Sequence, residues 1–177
     1  IQMGRLIDDL LQYSRLGRRA LQIRPLNAAL VMDEVIKDLR DQIEKSQAKI
    51  EIPDTFPVID SNHTLLKQIF TNLIQNALIF TQADQHPEIQ VACQVDSEYA
   101  IITIRDNGIG IAEEYFESIF NMFQRLHHDA EYTGTGIGLA LVKKAVTLLR
   151  GEIWVESSID EGSTFWVKLP LTQEENN

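Results

Sequence analysis

"FTNLIQNALIF", residues 70 to 80, sets two asparagines, Asn72 and Asn76, into an otherwise apolar run that reads as one side of a helix. A spacing of four stacks both amides on the same helical face, one turn above the other. A buried amide costs roughly 1–3 kcal/mol unless it is paired. Either these amides satisfy each other and the backbone, or they face something polar that the sequence does not contain. Taken alone, the stretch also reads as surface amides at the rim of a helix.

The elements on either side extend this helix into a domain. Ser61 or Asp60 is placed to cap it, and it runs to about Thr81. Upstream, Asn27 is a plausible N-cap for a helix over residues 28 to 46, with Leu30, Val31, Val35, Ile36, Leu39 and Ile43 inward. "KIEIP" follows it as a short strand. Downstream, "EIQVACQV" and "YAIITIRD" alternate with period two around the turn-like "DSE". Glycines, polar residues and two short helical pieces fill 107 to 135; "GIGLALVKKAVTLLRG" is a helix closed by Gly151; "EIWVESS" and "STFWVKL" are strands around "IDEG". Strands and helices interleaved without βαβ repeats predict an α/β sandwich, a mixed, mostly antiparallel sheet packed on one layer of helices.

The first residues, "IQMGRLIDDLLQYSRLG", carry apolar positions 3, 6, 7, 10, 13 and 16, an amphipathic helix ending near Gly17. It starts without a cap, as a piece of a longer helix would. "RRALQIRPLN" reads as a linker because Pro25 and the basic cluster break the periodicity, and "TQEENN" as a frayed tail. The expected organisation is therefore a helix over 1–17, a linker over 18–26, a domain over 27–171 and a tail over 172–177.

With 177 residues, 44% hydrophobic and 24% charged, the chain suits one globular domain and a small appendage. A net charge of −10 argues against general attraction to nucleic acid or an anionic membrane, so a phosphate ligand needs local help. No apolar run approaches the ~18 residues of a membrane span, and no signal-peptide layout is present. One cysteine, Cys93, excludes an internal disulfide and fits a reducing, cytoplasmic setting; it reads as a small buried hydrophobe. His63, His86, His127 and His128 show no metal spacing, so no structural zinc is expected.

Two glycine stretches carry the chemistry. "YAIITIRD" runs into "DNGIGI", residues 106 to 111, where Gly108 and Gly110 let a flat group approach the backbone while Asp106 accepts a hydrogen bond from it. "TGTGIGLALV" puts Gly134, Gly136 and Gly138 where a helix begins, and free N–H groups there favour phosphate. Each alone is a turn or a weak motif. Their order, paired amides, then Asp-x-Gly-x-Gly, then a glycine-rich helix start, is what informs.

In that order the sequence resembles the ATP-binding catalytic domain of sensor histidine kinases, in the superfamily that also holds gyrase, heat-shock chaperone ATPases, MutL-type repair proteins and anti-sigma-factor kinases (the Bergerat fold). The resemblance covers about residues 27 to 171: "NLIQNALIF" looks like the N box, "DNGIGI" the first glycine box, "IFNMFQRLH" the phenylalanine box, "TGTGIGLALV" the second glycine box, and "GEIWVESSIDEGSTFWVKLPL" the closing hairpin. "LIDDLLQYSRLG" resembles the end of the second helix of the dimerisation and phosphoacceptor hairpin, in the form common in phytochrome-linked kinases.

The resemblance implies Mg-ATP as cofactor. Asn76 would coordinate Mg²⁺, whose preference is for oxygen ligands, and Asn72 would line the same site. Asp106, with Gly108 and Gly110, would hold adenine; Phe80 would pack beside the nucleotide or serve the core. Gly134, Thr135, Gly136, Gly138 and Leu139 would form the phosphate turn. Residues 112 to 133 would be a lid anchored by Phe120 and Phe123, with Arg125 either on a phosphate or merely on the surface. Implied partners are the acceptor hairpin, in a homodimer, and a response regulator.

Two departures stand out. Ile79 occupies the place of a usual lysine three residues after the second asparagine, so ATP binds more weakly or Arg125 or His127 compensates. Met122 stands where proline is usual in the phenylalanine box. ATPase and serine-kinase relatives carry a glutamate base at the position of Asn72, and an amide cannot take that proton. The remaining alternative is a degenerate nucleotide-binding module. None of the four histidines sits in the family's acceptor box, so the acceptor is expected elsewhere.

Overall fold

The computed structural model describes residues 2–17, 21–124 and 135–172. Helix α1 spans Gln2–Arg15; β1 (Arg24–Asn27), α2 (Ala28–Asp38), α3 (Arg40–Ser46), β2 (Lys49–Glu51) and β3 (Val58–Ser61) lead to α4, His63–Ile79. Then come β4 (Glu88–Val95), β5 (Tyr99–Asp106), two 3₁₀ turns (Glu113–Tyr115 and Ser118–Phe120), α5 (Gly138–Leu148), β6 (Glu152–Ser158) and β7 (Gly162–Pro170).

Five strands form one sheet in the order β2-β4-β5-β7-β6, and only the β2–β4 pair is parallel. Alternation along β5 sends Ala100, Ile102 and Ile104 to one face, joined by Val155 from β6 and Phe165, Val167 and Leu169 from β7. Against that face lie the apolar stripes of the helices: Val31 and Val35 of α2, Ile69, Phe70 and Leu73 of α4, Val142 and Val146 of α5. A layer of helices therefore covers one side of a mixed, mostly antiparallel sheet, as the sequence predicts. On the other face Trp154 and Trp166, cross-strand partners, stack with centroids 5.7 Å apart and planes 7° from parallel.

Local readings changed in several places. The helix expected over 28 to 46 is two helices, broken at Leu39 (φ −93°, ψ 5°), and Leu30, expected inward, is 61% exposed while Ala28 and Met32 are buried. Arg24–Asn27, read as linker, pairs antiparallel with β3; Pro25 is tolerated because β1 is an edge strand, paired with β3 along one side. Asn27 does cap α2, its Oδ1 accepting from the Ala29 N–H at 2.9 Å. The cap of α4, however, is Asn62, accepting from the Leu65 N–H at 3.2 Å, because Asp60 and Ser61 are spent in β3. At the end of α5 the left-handed residue is Arg150 (φ 59°), one before the expected Gly151. Cys93 is half-buried, and burial raises its thiol pKa. Among the described residues no helix is long and apolar enough to cross a membrane.

Candidate functional site

α4 buries Leu73, Ile74 and Ala77 against the core, which leaves Asn72 and Asn76 half-buried on its other side. The Asn72 amide is oriented: Nδ2 donates to the Gln68 carbonyl at 2.8 Å, one turn back, and Oδ1 points toward the start of α5. There a β-carbon added to Gly138 would stand 2.8 Å from Asn72 Oδ1, closer than real β-carbons come, so this helix start takes glycine to leave room for the amide. Among the described residues no side chain caps α5, and its first N–H groups have no intrahelical acceptor. The turn before it is fixed by the Phe123 N–H, which donates to the Gly136 carbonyl at 2.9 Å.

At the far end of α4 the chain meets the first glycine stretch, residues 106 to 111. The Phe80 carbonyl accepts the Ile109 N–H at 2.9 Å, and a β-carbon on Gly108 would lie 2.4 Å from that same oxygen. Gly110 has φ +74° and would drive a β-carbon to 2.0 Å from the Ser158 carbonyl of the β6–β7 turn. The loop after β5 is thus wedged between the end of α4 and the closing hairpin.

Asp106 ends β5, only 8% exposed. Its Oδ1 accepts two backbone N–H groups, Gly108 at 2.8 Å and Ser163 at 3.1 Å. Among the described residues Oδ2 accepts none. Burial pushes this carboxyl up to about 6, opposed by the two N–H donors. A rigid acid with one oxygen pinned and the other left for a ligand is suited to receive an N–H donor such as an exocyclic amine.

Other predicted residues fall less directly. Thr135 precedes the turn of α5, but its hydroxyl donates to Asp9 Oδ2 of α1 at 2.6 Å. Leu139 is half-buried against the core, and Ile79 ends α4, also half-buried. Phe120 is buried at 6% exposure beneath the Lys143 ammonium, whereas Phe123 is 56% exposed, so of the two expected anchors only Phe120 is packed. Arg125, His127, His128 and Gly134, and with them much of the expected lid, lie outside the described residues.

Sequence reasoning missed Ser163 and Asn107. Ser163 contributes a main-chain N–H, which carries no signal in the side chain. Asn107 bridges Glu88 N–H (2.8 Å) and the His86 carbonyl (3.0 Å), fixing the segment before β4. Its place after an aspartate at a strand end was the available hint.

The fold is that of sensor histidine kinase catalytic domains. A solved structure of full-length ShkA with AMPPNP aligns over 97% of this chain and 36% of its own, at TM-score 0.80 and 23% identity. Histidine kinase ThkA, solved with the response regulator TrrA, aligns over 98% and 48% at TM-score 0.74 and 23% identity. In sequence, the phytochrome-like protein Cph1 of Synechocystis sp. is 38% identical over 169 residues, 96% of this chain and 22% of that protein's length. The chain belongs to the histidine kinase-, DNA gyrase B- and HSP90-like ATPase family, whose model matches residues 61–173.

Proposed function

We propose that the chain is the catalytic domain of a sensor histidine kinase: it binds Mg-ATP and presents the γ-phosphate to a histidine on a dimerisation hairpin, for relay to a response regulator. The observation that carries the reading is Asp106, buried, pinned through Oδ1 by Gly108 and Ser163, with Oδ2 left for the adenine amino group. Gly108 and Gly110 seat the loop that carries Asp106 against the Phe80 and Ser158 carbonyls, and with Phe80 they complete the expected adenine set.

The half-buried side of α4 before its end at Ile79 fits a phosphate chain with Mg²⁺. With Nδ2 tied to Gln68, Asn72 offers oxygen toward the turn of α5, and Asn76 lies one turn further along the same face. Amide oxygens are hard donors suited to Mg²⁺, and Asn76 would hold the ion. When bound, Mg²⁺ neutralises phosphate charge. Gly136 and Gly138 leave the N–H groups at the start of α5 open to phosphate oxygens. Thr135, Leu139, Gly134 and Arg125 complete the expected set. Catalysis then consists of positioning and charge stabilisation, with no base from this domain; the acceptor imidazole brings its own lone pair. Asn72 cannot act as the glutamate base of the ATPase relatives.

α1 fits the end of the hairpin's second helix. Ile7, Leu10 and Leu11 are 52%, 44% and 45% exposed, an apolar stripe of the kind a helical bundle would cover. On this reading residues 27–171 form the catalytic domain, the whole protein is a dimer with a phytochrome-like sensor, and the setting is cytoplasmic; the relationship to Cph1 supports the sensor type. The test is incubation with γ-labelled ATP and Mg²⁺, with and without a separately supplied hairpin carrying an acceptor histidine. The expected result is acid-labile label on the hairpin only. Label on this chain alone, or none with the hairpin although ATP binds, would refute the assignment.

A further inference from the structure

α1 does not stand clear of the domain. Leu6, Asp9, Tyr13 and Leu16, at helical spacing, are half-buried, while Ile7, Leu10 and Leu11 face outward. Fastenings run along the half-buried side. Thr135 Oγ1 donates to Asp9 Oδ2 at 2.6 Å; the Gln12 amide donates to the Gln68 side chain; Lys144 Nζ donates to the Tyr13 carbonyl at 2.7 Å and stands 4.1 Å from the centre of the Tyr13 ring; Leu16 packs on the core. Two of these partners bear on the phosphate position. Thr135 opens the turn into α5, and Gln68 is the residue whose carbonyl orients Asn72.

α1 therefore brings a carboxylate to the hydroxyl of Thr135, three residues before α5 begins, in the turn where the nucleotide reading needs phosphate oxygens. Resting on that reading, we propose that Asp9 is an internal competitor for the phosphate chain: docked α1 occupies the turn with its own anion, and Mg-ATP binds at full strength only when α1 is released. Coupling of this kind is reciprocal, so bound ATP loosens α1 by the same factor. Whatever moves this helix then sets the affinity for ATP.

The test is calorimetry of Mg-ATP and of adenosine on the 177-residue chain and on two variants, Asp9→Ala and Tyr13→Ala. The first removes the competing charge; the second loosens α1 without changing any charge. Both should tighten Mg-ATP about two- to fivefold, the range of a partly exposed contact, and leave adenosine unchanged. Unchanged or weaker Mg-ATP binding in Asp9→Ala overturns the proposal. Tightening in Asp9→Ala but not Tyr13→Ala reduces it to simple repulsion and also overturns it, as does an equal gain for adenosine. If the unaltered chain binds neither ligand, the nucleotide reading itself falls, which none of the other outcomes would show.

Discussion

Asn72 and Gly138 are coupled: the amide oxygen lies 2.8 Å from where a β-carbon on the glycine would stand, so a side chain at the start of α5 must displace the amide. Gly138→Ala should push the amide aside or shift the helix start while leaving the rest of the core intact. The expected outcome is a several-fold or greater loss of Mg-ATP affinity with adenosine binding preserved, measured by calorimetry. Equal losses for both ligands would show that the damage is to the fold.

Gly110 makes the opposite case. With φ +74° and the Ser158 carbonyl in its way, Gly110→Ala should destabilise the whole domain, by roughly 2–4 kcal/mol from strain and steric displacement together. A thermal melt lowered by less than a degree or two would contradict this geometry.

Asp106 gives a prediction in pH. Its folded carboxyl is raised to about 6 from 3.8, so between those values the native state holds a proton that the unfolded chain has released. Stability therefore falls as pH rises from about 4 to 6, by up to roughly 3 kcal/mol, and is level above. Asp106→Asn should abolish that decline and melt higher at pH 7.5. A pH profile unchanged by the substitution would disprove it.

The same residue should govern ligand binding in the opposite sense. Asp106→Ala removes a charge-assisted contact worth about 1.5–3 kcal/mol, a ten- to hundredfold loss of affinity. In the unaltered chain adenosine should bind less well as pH drops through about 6, because the protonated acid presents one acceptor fewer. Adenosine titrated at pH 5 and 7.5 tests this directly; equal affinities would remove Asp106 from the adenine contact.

On the proposed function Ile79→Lys restores the phosphate contact that a lysine at this place would make, and it should tighten Mg-ATP while leaving adenosine nearly unchanged. Parallel effects on both ligands would mean that position 79 points elsewhere.

The long elements were legible because burial imposes a period: apolar residues in threes and fours along α4 and α5, alternation in β4 and β5. The glycine stretches were legible for a related reason, since a β-carbon would meet backbone carbonyls at Gly108 and Gly110 and the Asn72 amide at Gly138. What escaped depends on contacts between distant segments. The break at Leu39 carries neither proline nor glycine, and β1 exists only because β3 lies beside it. Asn62 displaced Ser61 and Asp60 as cap for the same reason. Ser163 reaches Asp106 through its main chain, and Asp9 meets Thr135 across most of the chain. Nothing in either residue's neighbours announces the other.

The stacked pair Trp154 and Trp166 comprises both tryptophans of the chain, on the sheet face opposite Asp106 and the helices. Two parallel indoles at 5.7 Å should couple as chromophores and give a paired band in near-ultraviolet circular dichroism that exists only while β6 and β7 are joined. Intrinsic emission excited at 295 nm will follow the integrity of that hairpin and remain nearly silent to nucleotide on the other side. Optical titrations of ligand binding thus require a dye-labelled nucleotide, while the native fluorophores record unfolding free of interference from it.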